Sequence, residues 1–265
     1  MSGVQNRLWW LVFLGILVTP NMGYAVSHDG GASGPTVRIA AGTLAPFYEK
    51  ERPKAIASFR ADVYPVTNRQ FLAFVKRYPQ WRRESVTALL GDRRYLSHWE
   101  SATTLGTGVN PDAPVTHVSW FAARTYCKSQ EGNLPTTDQW EYMAQADERT
   151  TNARDSATFK ARILKWYGKP SAHPLPSVGS TYKNVWGLYD MHGLVWEWVS
   201  DFNNVLLTGE SRQDSSMDRQ AYCASGSTGA KNPTDYAWFM RRAFRSSLKA
   251  NYTVGNLGFR CVYND

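Results

Sequence analysis

Two carboxylates, Asp190 and Glu197, are the first candidates for chemistry, and both lie in the aromatic-rich stretch 176–201. Trp196 and Trp198 alternate about Glu197, so in an extended segment both indoles lie on one face and the carboxylate lies on the other. Two large rings on one face indicate a wall of the core. A buried carboxylate opposite them needs a partner, since burying an unpaired charge is costly. The stretch therefore predicts a structural centre that also holds a cationic group.

Other chemistries of these residues are less well supported. Asp190 and Glu197 could form a glycosidase pair, but a sequence gives no distance between them, and a bound cation explains both. His117 and His192 lie inside motifs without a second histidine or cysteine at a metal-binding spacing, so we expect structural hydrogen bonds. The sequence has no Ser-His-Asp order, no phosphate-binding glycine loop and no zinc signature.

The chain has three cysteines, Cys127, Cys223 and Cys261. An odd number leaves one thiol unpaired, bound to a metal or joined to another chain. Disulfides persist in exported proteins and are rare in the cytosol. The cysteine count therefore leaves the pairing open.

The N-terminus has the pattern of a secretory signal peptide, which we place at residues 1–25. Arg7 precedes an apolar run over 8–18, Thr19 and Pro20 end the run, and small residues precede the cleavage point. The alternative is an uncleaved anchor, but spanning a bilayer needs about 20 apolar residues. We predict a periplasmic or secreted protein that meets a membrane only through an uncleaved signal segment.

After the signal peptide, residues 26–36 are rich in Gly and Ser and predict a flexible leader, and residues 37–265 predict the folded part. The formal net charge is +8, but the basic residues are scattered and form no stripe with aromatic residues. A mildly basic, solvated surface explains this better than nucleic-acid binding does.

Three helices are indicated by their caps. Thr67 and Gln70 have capping-box spacing before a helix over about 68–78, and Thr136 and Gln139 have the same spacing. Ser119 can cap a helix between them. Residues 80–113 are polar and predict a loop. Strand-like pieces lie near 195–200, 220–226, 240–246 and 257–262. Early helices and late irregular strands predict an α+β fold with much coil.

Seven short motifs in this order resemble the formylglycine-generating-enzyme (sulfatase-modifying factor) superfamily. The motifs are YPVTN at 64–68, HVSW at 117–120, LPTTDQWEY at 134–142, PSVG at 176–179, GLYDMHG at 187–193, WEW at 196–198 and NLGFRC at 256–261. Each motif alone is weak, but the ordered set is specific and covers about residues 37–263. The resemblance implies a single compact domain with little regular secondary structure, related to a duplicated C-type-lectin fold.

The resemblance also implies a chemistry that this chain departs from. Formylglycine-generating enzymes oxidise a cysteine of a protein substrate to an aldehyde, with dioxygen and a copper(I) ion held by two cysteines. Counting back from Arg245, those cysteines correspond to Ala237 and to a position near Asn232. Copper(I) is soft and prefers thiolates, which alanine and asparagine cannot replace. The usual cysteine oxidation is therefore not expected here.

By the same resemblance, Cys127 and Cys261 correspond to a structural disulfide, which leaves Cys223 as the odd thiol. Cys223 lies where the family places a strand beside its active groove, and Ser227 matches a serine of that strand. The arginines at 241 and 245 would favour a thiolate there. We predict Cys223, Ser227, Arg241 and Arg245 as catalytic residues. The alternative for Cys223 is a small buried core residue.

Asp190, Gly193, Val195 and Glu197 match a calcium site of the family. Two carboxylates and two backbone carbonyls suit a hard cation that takes six to eight oxygens. The resemblance thus predicts calcium as one cofactor, with copper as another if Cys223 supplies a ligand. The alternative for each carboxylate is a hydrogen bond to backbone amides or an ion pair with arginine.

The sequence therefore predicts an exported, atypical family member without the copper cysteine pair, acting as an accessory or maturation factor for a periplasmic copper or redox enzyme. If it is an enzyme, an oxygen-dependent oxidation is expected, and a protein or peptide is the expected substrate. The segment 240–261 is most similar to the subgroup encoded beside copper nitrite reductase, which makes that reductase a candidate partner. One alternative is a lectin-like binding module that presents Tyr236, Trp238 and Phe239. Another is a true cysteine oxidase with altered copper ligands.

Overall fold

The beginning and the end of the folded chain meet in one three-stranded sheet. In this computed structural model, which describes residues 34–47, 52–202 and 236–265, strand β1 (Thr36–Ile39) pairs antiparallel with β4 (Phe59–Asp62). Strand β4 also pairs antiparallel with β7 (Val262–Asn264). Strands from both ends of the folded chain thus form one sheet.

Two smaller sheets accompany it. Strands β2 (Gly42–Leu44) and β3 (Lys54–Ile56) form an antiparallel pair. Strands β5 (Trp196–Glu197) and β6 (Leu257–Gly258) form a short parallel pair, which brings the aromatic stretch beside the C-terminal motif.

The three predicted helices begin at their predicted caps. Helices α1 (Asn68–Arg77) and α3 (Thr137–Ala144) each open with a complete capping box, in which the threonine and glutamine side chains satisfy each other's backbone N–H groups. Helix α2 (Trp120–Ser129) begins after Ser119, whose hydroxyl accepts a hydrogen bond from the Ala122 N–H. A 3-10 turn at Pro79–Trp81 follows α1.

The structure contains two further helices that the sequence analysis does not predict. Helix α4 (Ala157–Tyr167) is absent from the predicted helices, because only Phe159 and Ile163 are buried on it. The strand predicted near 240–246 is wrong, since this segment belongs to helix α5 (Tyr236–Ser247). Its buried face carries arginines as well as apolar residues, so apolar periodicity does not reveal it. The strand predicted near 220–226 lies outside the described residues.

Packed aromatic rings join the helices to the C-terminal motif. Phe71 of α1 lies 5.8 Å from Tyr126 of α2 between ring centroids, and Tyr126 lies 5.4 Å from Phe259. Cys127 and Cys261 form a disulfide across 134 residues beside these rings, as the resemblance implies. The largest fully buried side chain is Trp198, whose Nε1 donates to Val118 O at 3.0 Å.

The segment 80–113 has the predicted loop character but is part of the core. Tyr95, Leu96 and Trp99 are almost completely buried. Trp99 donates its Nε1–H to Asn68 Oδ1 at 3.1 Å, which ties the loop to the start of α1. Short strands, helices and long coil therefore form a single compact domain of the predicted α+β class, whereas the lectin-like duplication stays a prediction. None of the helices described is long and apolar enough to span a bilayer.

Candidate functional site at the last helix

The first turn of α5 contains Ala237, one of the two positions where the family resemblance places a copper cysteine. Ala237 is buried in a small cluster with Phe159 and Ile163 of α4. Trp238 stacks on Phe47 with ring centroids 4.3 Å apart. At position 237, where the resemblance places a copper cysteine, this chain therefore has a methyl group in apolar contacts.

A buried ion-pair network holds α5 against α3. Arg241 donates to Glu141 from Nη2 at 2.6 Å and from Nε at 2.9 Å, and Arg245 Nη1 donates to the same carboxylate at 2.8 Å. The guanidinium carbons of both arginines lie over the Trp140 ring, at 5.6 and 4.7 Å from its centroid. Tyr167 of α4 accepts a further hydrogen bond from Arg241 Nη1 at 3.2 Å. One carboxylate thus serves two arginines, and the network joins three helices.

The electrostatics of Glu141 follow from this arrangement. Burial alone would raise the pKa of this carboxyl, but the charges and hydrogen bonds of Arg241 and Arg245 outweigh burial and lower the pKa to about 2. The interaction with Glu141 likewise raises the pKa of Arg241 against the effect of burial. Glu141 is therefore ionised at neutral pH, and because arginine side chains stay protonated in proteins, the network carries a net charge of one positive unit.

The two arginines predicted as catalytic are thus placed inside the protein. Each is only 7% exposed, and each binds Glu141 directly. Such side chains fix the helix that carries position 237, and this placement favours a positioning role over contact with a substrate. Cys223, Ser227 and Asn232 lie outside the described residues, so their roles stay predictions.

A small cavity of about 30 Å³ lies beside the network and is lined by His192, Gln145 and Ala237 among others. His192 Nε2 donates to Ala144 O at 2.9 Å, as predicted for a structural histidine, which leaves Nδ1 as an acceptor. Among the described residues, neither His192 Nδ1 nor Gln145 Oε1 has a hydrogen-bond partner. The volume and the two acceptors fit one bound water.

The first carboxylate of the predicted calcium site is bound by protein donors. Asp190 accepts from the backbone N–H groups of Gly179 and Thr181 and from the Thr181 hydroxyl, the last two at 3.0 and 2.9 Å. Asp190 has a φ of +60° and Gly193 a φ of +107°, so a sharp turn brings the carboxylate back onto the 179–181 loop. This is the backbone-amide alternative considered for Asp190.

The second carboxylate forms an ion pair. Glu197 accepts from Arg260 Nη2 at 2.8 Å and from Trp140 Nε1 at 2.7 Å, and the side chains of Glu197 and Arg260 are both fully buried. A guanidinium at this distance repels a calcium ion and occupies the oxygens that calcium would need. Asp190, Gly193, Val195 and Glu197 therefore do not fit a calcium site as arranged. Arg260 is the cationic group that the sequence left unnamed.

Sequence reasoning identified the family motifs but not these partners. Arg241 lies 100 residues from Glu141, and Arg260 lies 63 residues from Glu197. No local pattern reports such pairs. The one available signal is that Glu141, Glu197 and Arg260 all lie inside the motifs LPTTDQWEY, WEW and NLGFRC.

Comparison with known proteins identifies related chains. The family described as sulfatase-modifying factor enzyme 1-like domain matches residues 28–265. The inactive C-alpha-formylglycine-generating enzyme 2 of Bos taurus is 27% identical over 248 residues, which cover 80% of this chain and 79% of that protein. The formylglycine-generating enzyme of Streptomyces coelicolor is 31% identical over 189 residues, covering 63% of this chain and 58% of that enzyme. Among solved structures, PvdO from Pseudomonas aeruginosa matches 88% of this chain and 95% of its own at 17% identity and a TM-score of 0.47.

Proposed function

This chain belongs to the sulfatase-modifying factor enzyme 1-like family, and on that basis we propose that it is an exported accessory factor. It binds a protein or peptide and assists the maturation of a periplasmic copper or redox enzyme. It does not oxidise cysteine through a copper ion held by two thiolates.

The observation that carries this proposal is the side chain at position 237. Ala237 packs against Phe159 and Ile163 and offers copper(I) no ligand. Cys127 and Cys261 are joined in the disulfide, so Cys223 is the third and last cysteine of the chain. A single remaining cysteine cannot supply a thiolate pair.

The related proteins are consistent with this proposal. A bovine relative that carries the word inactive in its name aligns with four fifths of this chain. The formylglycine-generating enzyme of Streptomyces coelicolor aligns over a smaller share. These matches are consistent with a chain that has the family fold but does not carry out the family's usual cysteine oxidation.

Aromatic side chains at the start of α5 support the binding of a polypeptide. Tyr236 is 53% exposed, and its ring centroid lies 6.5 Å from that of Phe239. Exposed Tyr236 and half-buried Phe239 offer large, rigid contact area to an extended peptide. Trp238, in contrast, is buried against Phe47, so the aromatic face predicted from the sequence consists of Tyr236 and Phe239.

Copper nitrite reductase is the partner we propose, from the likeness of segment 240–261. The accessory role is expected in the periplasm, after removal of residues 1–25. In this setting the factor acts on a partner that binds its own metal, and no copper centre of the accessory factor is required.

A peptide oxidation assay tests the proposed function. The purified chain is incubated with copper, oxygen and a cysteine-containing sulfatase peptide, and the aldehyde is measured by mass spectrometry. We expect no aldehyde above the copper-only background, and the same result for Cys223→Ala. A formylglycine-generating enzyme assayed in parallel shows that the conditions support the reaction. Catalytic formation of the aldehyde by this chain, lost in Cys223→Ala, would establish a true oxidase and overturn the proposal.

A further inference from the structure

A second cavity, of about 500 Å³, gathers three of the five histidines of the chain. His98, His117 and His173 line it together with Glu100. It shares no lining residue with the small cavity at α5. We call it the histidine cavity. The imidazoles come from three separate segments, so their meeting is a product of the fold.

Two of these imidazoles lie side by side. The ring centroids of His98 and His117 are 4.6 Å apart. His98 Nδ1 is buried and has no hydrogen-bond partner among the described residues. His117 Nδ1 lies 3.3 Å from Thr116 Oγ1, which leaves Nε2 as the nitrogen available to a ligand. An oxygen partner on one ring nitrogen is the usual way in which a metal-binding histidine is oriented.

The backbone holds His117 in an uncommon conformation. Its φ is +54°, in the left-handed region that non-glycine residues rarely adopt. Hydrogen bonds fix this conformation, since the His117 N–H donates to Val254 O at 3.1 Å and its carbonyl accepts from Leu96 N at 2.9 Å. A Cβ on Gly255 would lie 3.0 Å from His117 Cε1, so glycine leaves room for the ring. Strain of this kind is concentrated at functional sites.

The third histidine lies at the rim of the cavity. His173 is exposed and lies close enough to His117 for their charges to interact. The positive charge of Arg94 lowers the pKa of His117, whereas the negative charge of Asp92 raises it. Among the described residues, no three His, Cys, Asp or Glu side chains already have the positions of a complete metal site. His173 is exposed and lines the same cavity as the half-buried pair His98 and His117.

We propose that the histidine cavity binds one divalent transition-metal ion through His98 and His117, with His173 as third ligand and water as fourth. Neutral imidazole is a common ligand of zinc and of copper(II). Three imidazoles and one water match the open coordination of zinc sites that exchange ligands. The proposal does not rest on the proposed function, because it concerns different residues and a different class of metal ligand.

Zinc binding to the full chain tests this proposal. Isothermal titration with Zn²⁺ is performed in a Cys223→Ala background, so that the remaining thiol does not contribute. We expect one zinc per chain. We also expect His98→Gln and His117→Asn each to weaken binding by about 10- to 100-fold or more, since changes behind the ligands alone cause losses of that size. Asparagine is chosen at 117 because it tolerates the left-handed backbone.

Two variants complete the test. His28→Gln removes a histidine that lies outside the described residues and should leave zinc affinity unchanged. His173→Gln changes an exposed side chain, so it decides the question even if the variants at the half-buried positions 98 and 117 do not fold, and we expect a loss of about tenfold or more. Absence of zinc binding, or an affinity that none of the three cavity variants changes, would overturn the proposal. If the zinc-binding proposal failed, the expected outcome of the peptide oxidation assay would not change.

Discussion

Replacing Glu197 with glutamine is expected to lower the free energy of unfolding by about 3–5 kcal/mol, the usual effect of breaking a buried ion pair from one side. Glu197 and Arg260 have fully buried side chains, so solvent does not screen their interaction. Without the carboxylate charge, Arg260 keeps the backbone carbonyls of Asp62, Val63 and Tyr189 as acceptors, but it loses the carboxylate that pairs with it directly. The effect is measured by urea unfolding with the disulfide intact.

Glu148→Gln is the matched control for this substitution. Glu148 pairs with Arg162 at 2.8 Å, but both side chains are more than 40% exposed, so a loss below about 1 kcal/mol is expected. The same titrations are repeated with calcium. If calcium stabilised the wild type strongly and Glu197→Gln abolished that gain, Glu197 would be a calcium ligand, and the ion-pair interpretation would be wrong.

Replacing Glu141 with glutamine is expected to destabilise the protein by a similar amount, about 3–5 kcal/mol. The reason differs from that at Glu197, because this single carboxylate compensates two arginines, Arg241 and Arg245. Loss of the carboxylate that both arginines share should destabilise α5 before the rest of the fold. We therefore expect amide exchange in residues 236–247 to increase more than exchange in α1, as hydrogen–deuterium exchange can measure. Equal stability of the variant and the wild type would contradict the network.

The pH dependence of stability gives a second readout of Glu141. Its pKa lies near 2 in the folded protein, against an ordinary value of 4.5. A lowered folded-state pKa contributes stability above the unfolded-state value, and this contribution is lost as the pH falls through the folded-state value. The wild type should therefore lose about 3 kcal/mol more than Glu141→Gln between pH 4.5 and 2. Parallel acid curves would contradict the low pKa.

Local signals predicted part of this fold correctly. Thr67 with Gln70 and Thr136 with Gln139 satisfy backbone groups three residues away, so their capping boxes are visible in the sequence and are confirmed in the structure. The family resemblance supplied the pairing of Cys127 with Cys261, which the cysteine count alone left open.

The remainder depends on contacts between distant segments. Helix α5 was not predicted because its buried face carries Arg241 and Arg245, which an apolar pattern excludes, and their partner Glu141 belongs to another helix. Glu197 was correctly expected to hold a cationic group, but Arg260 becomes a candidate only when β5 and β6 pair. The histidine cavity likewise joins segments that are far apart in sequence.

We propose that this family member lacks a thiolate-pair site for copper(I), and copper(I) titration against a competing chelator tests this most directly. The wild type should bind no copper(I) with thiolate-pair affinity, and Cys223→Ala should behave identically. The variant Asn232→Cys/Ala237→Cys restores both thiols and should gain one tightly bound copper(I) per chain. One tightly bound copper(I) in the wild type, lost in Cys223→Ala, would contradict the account.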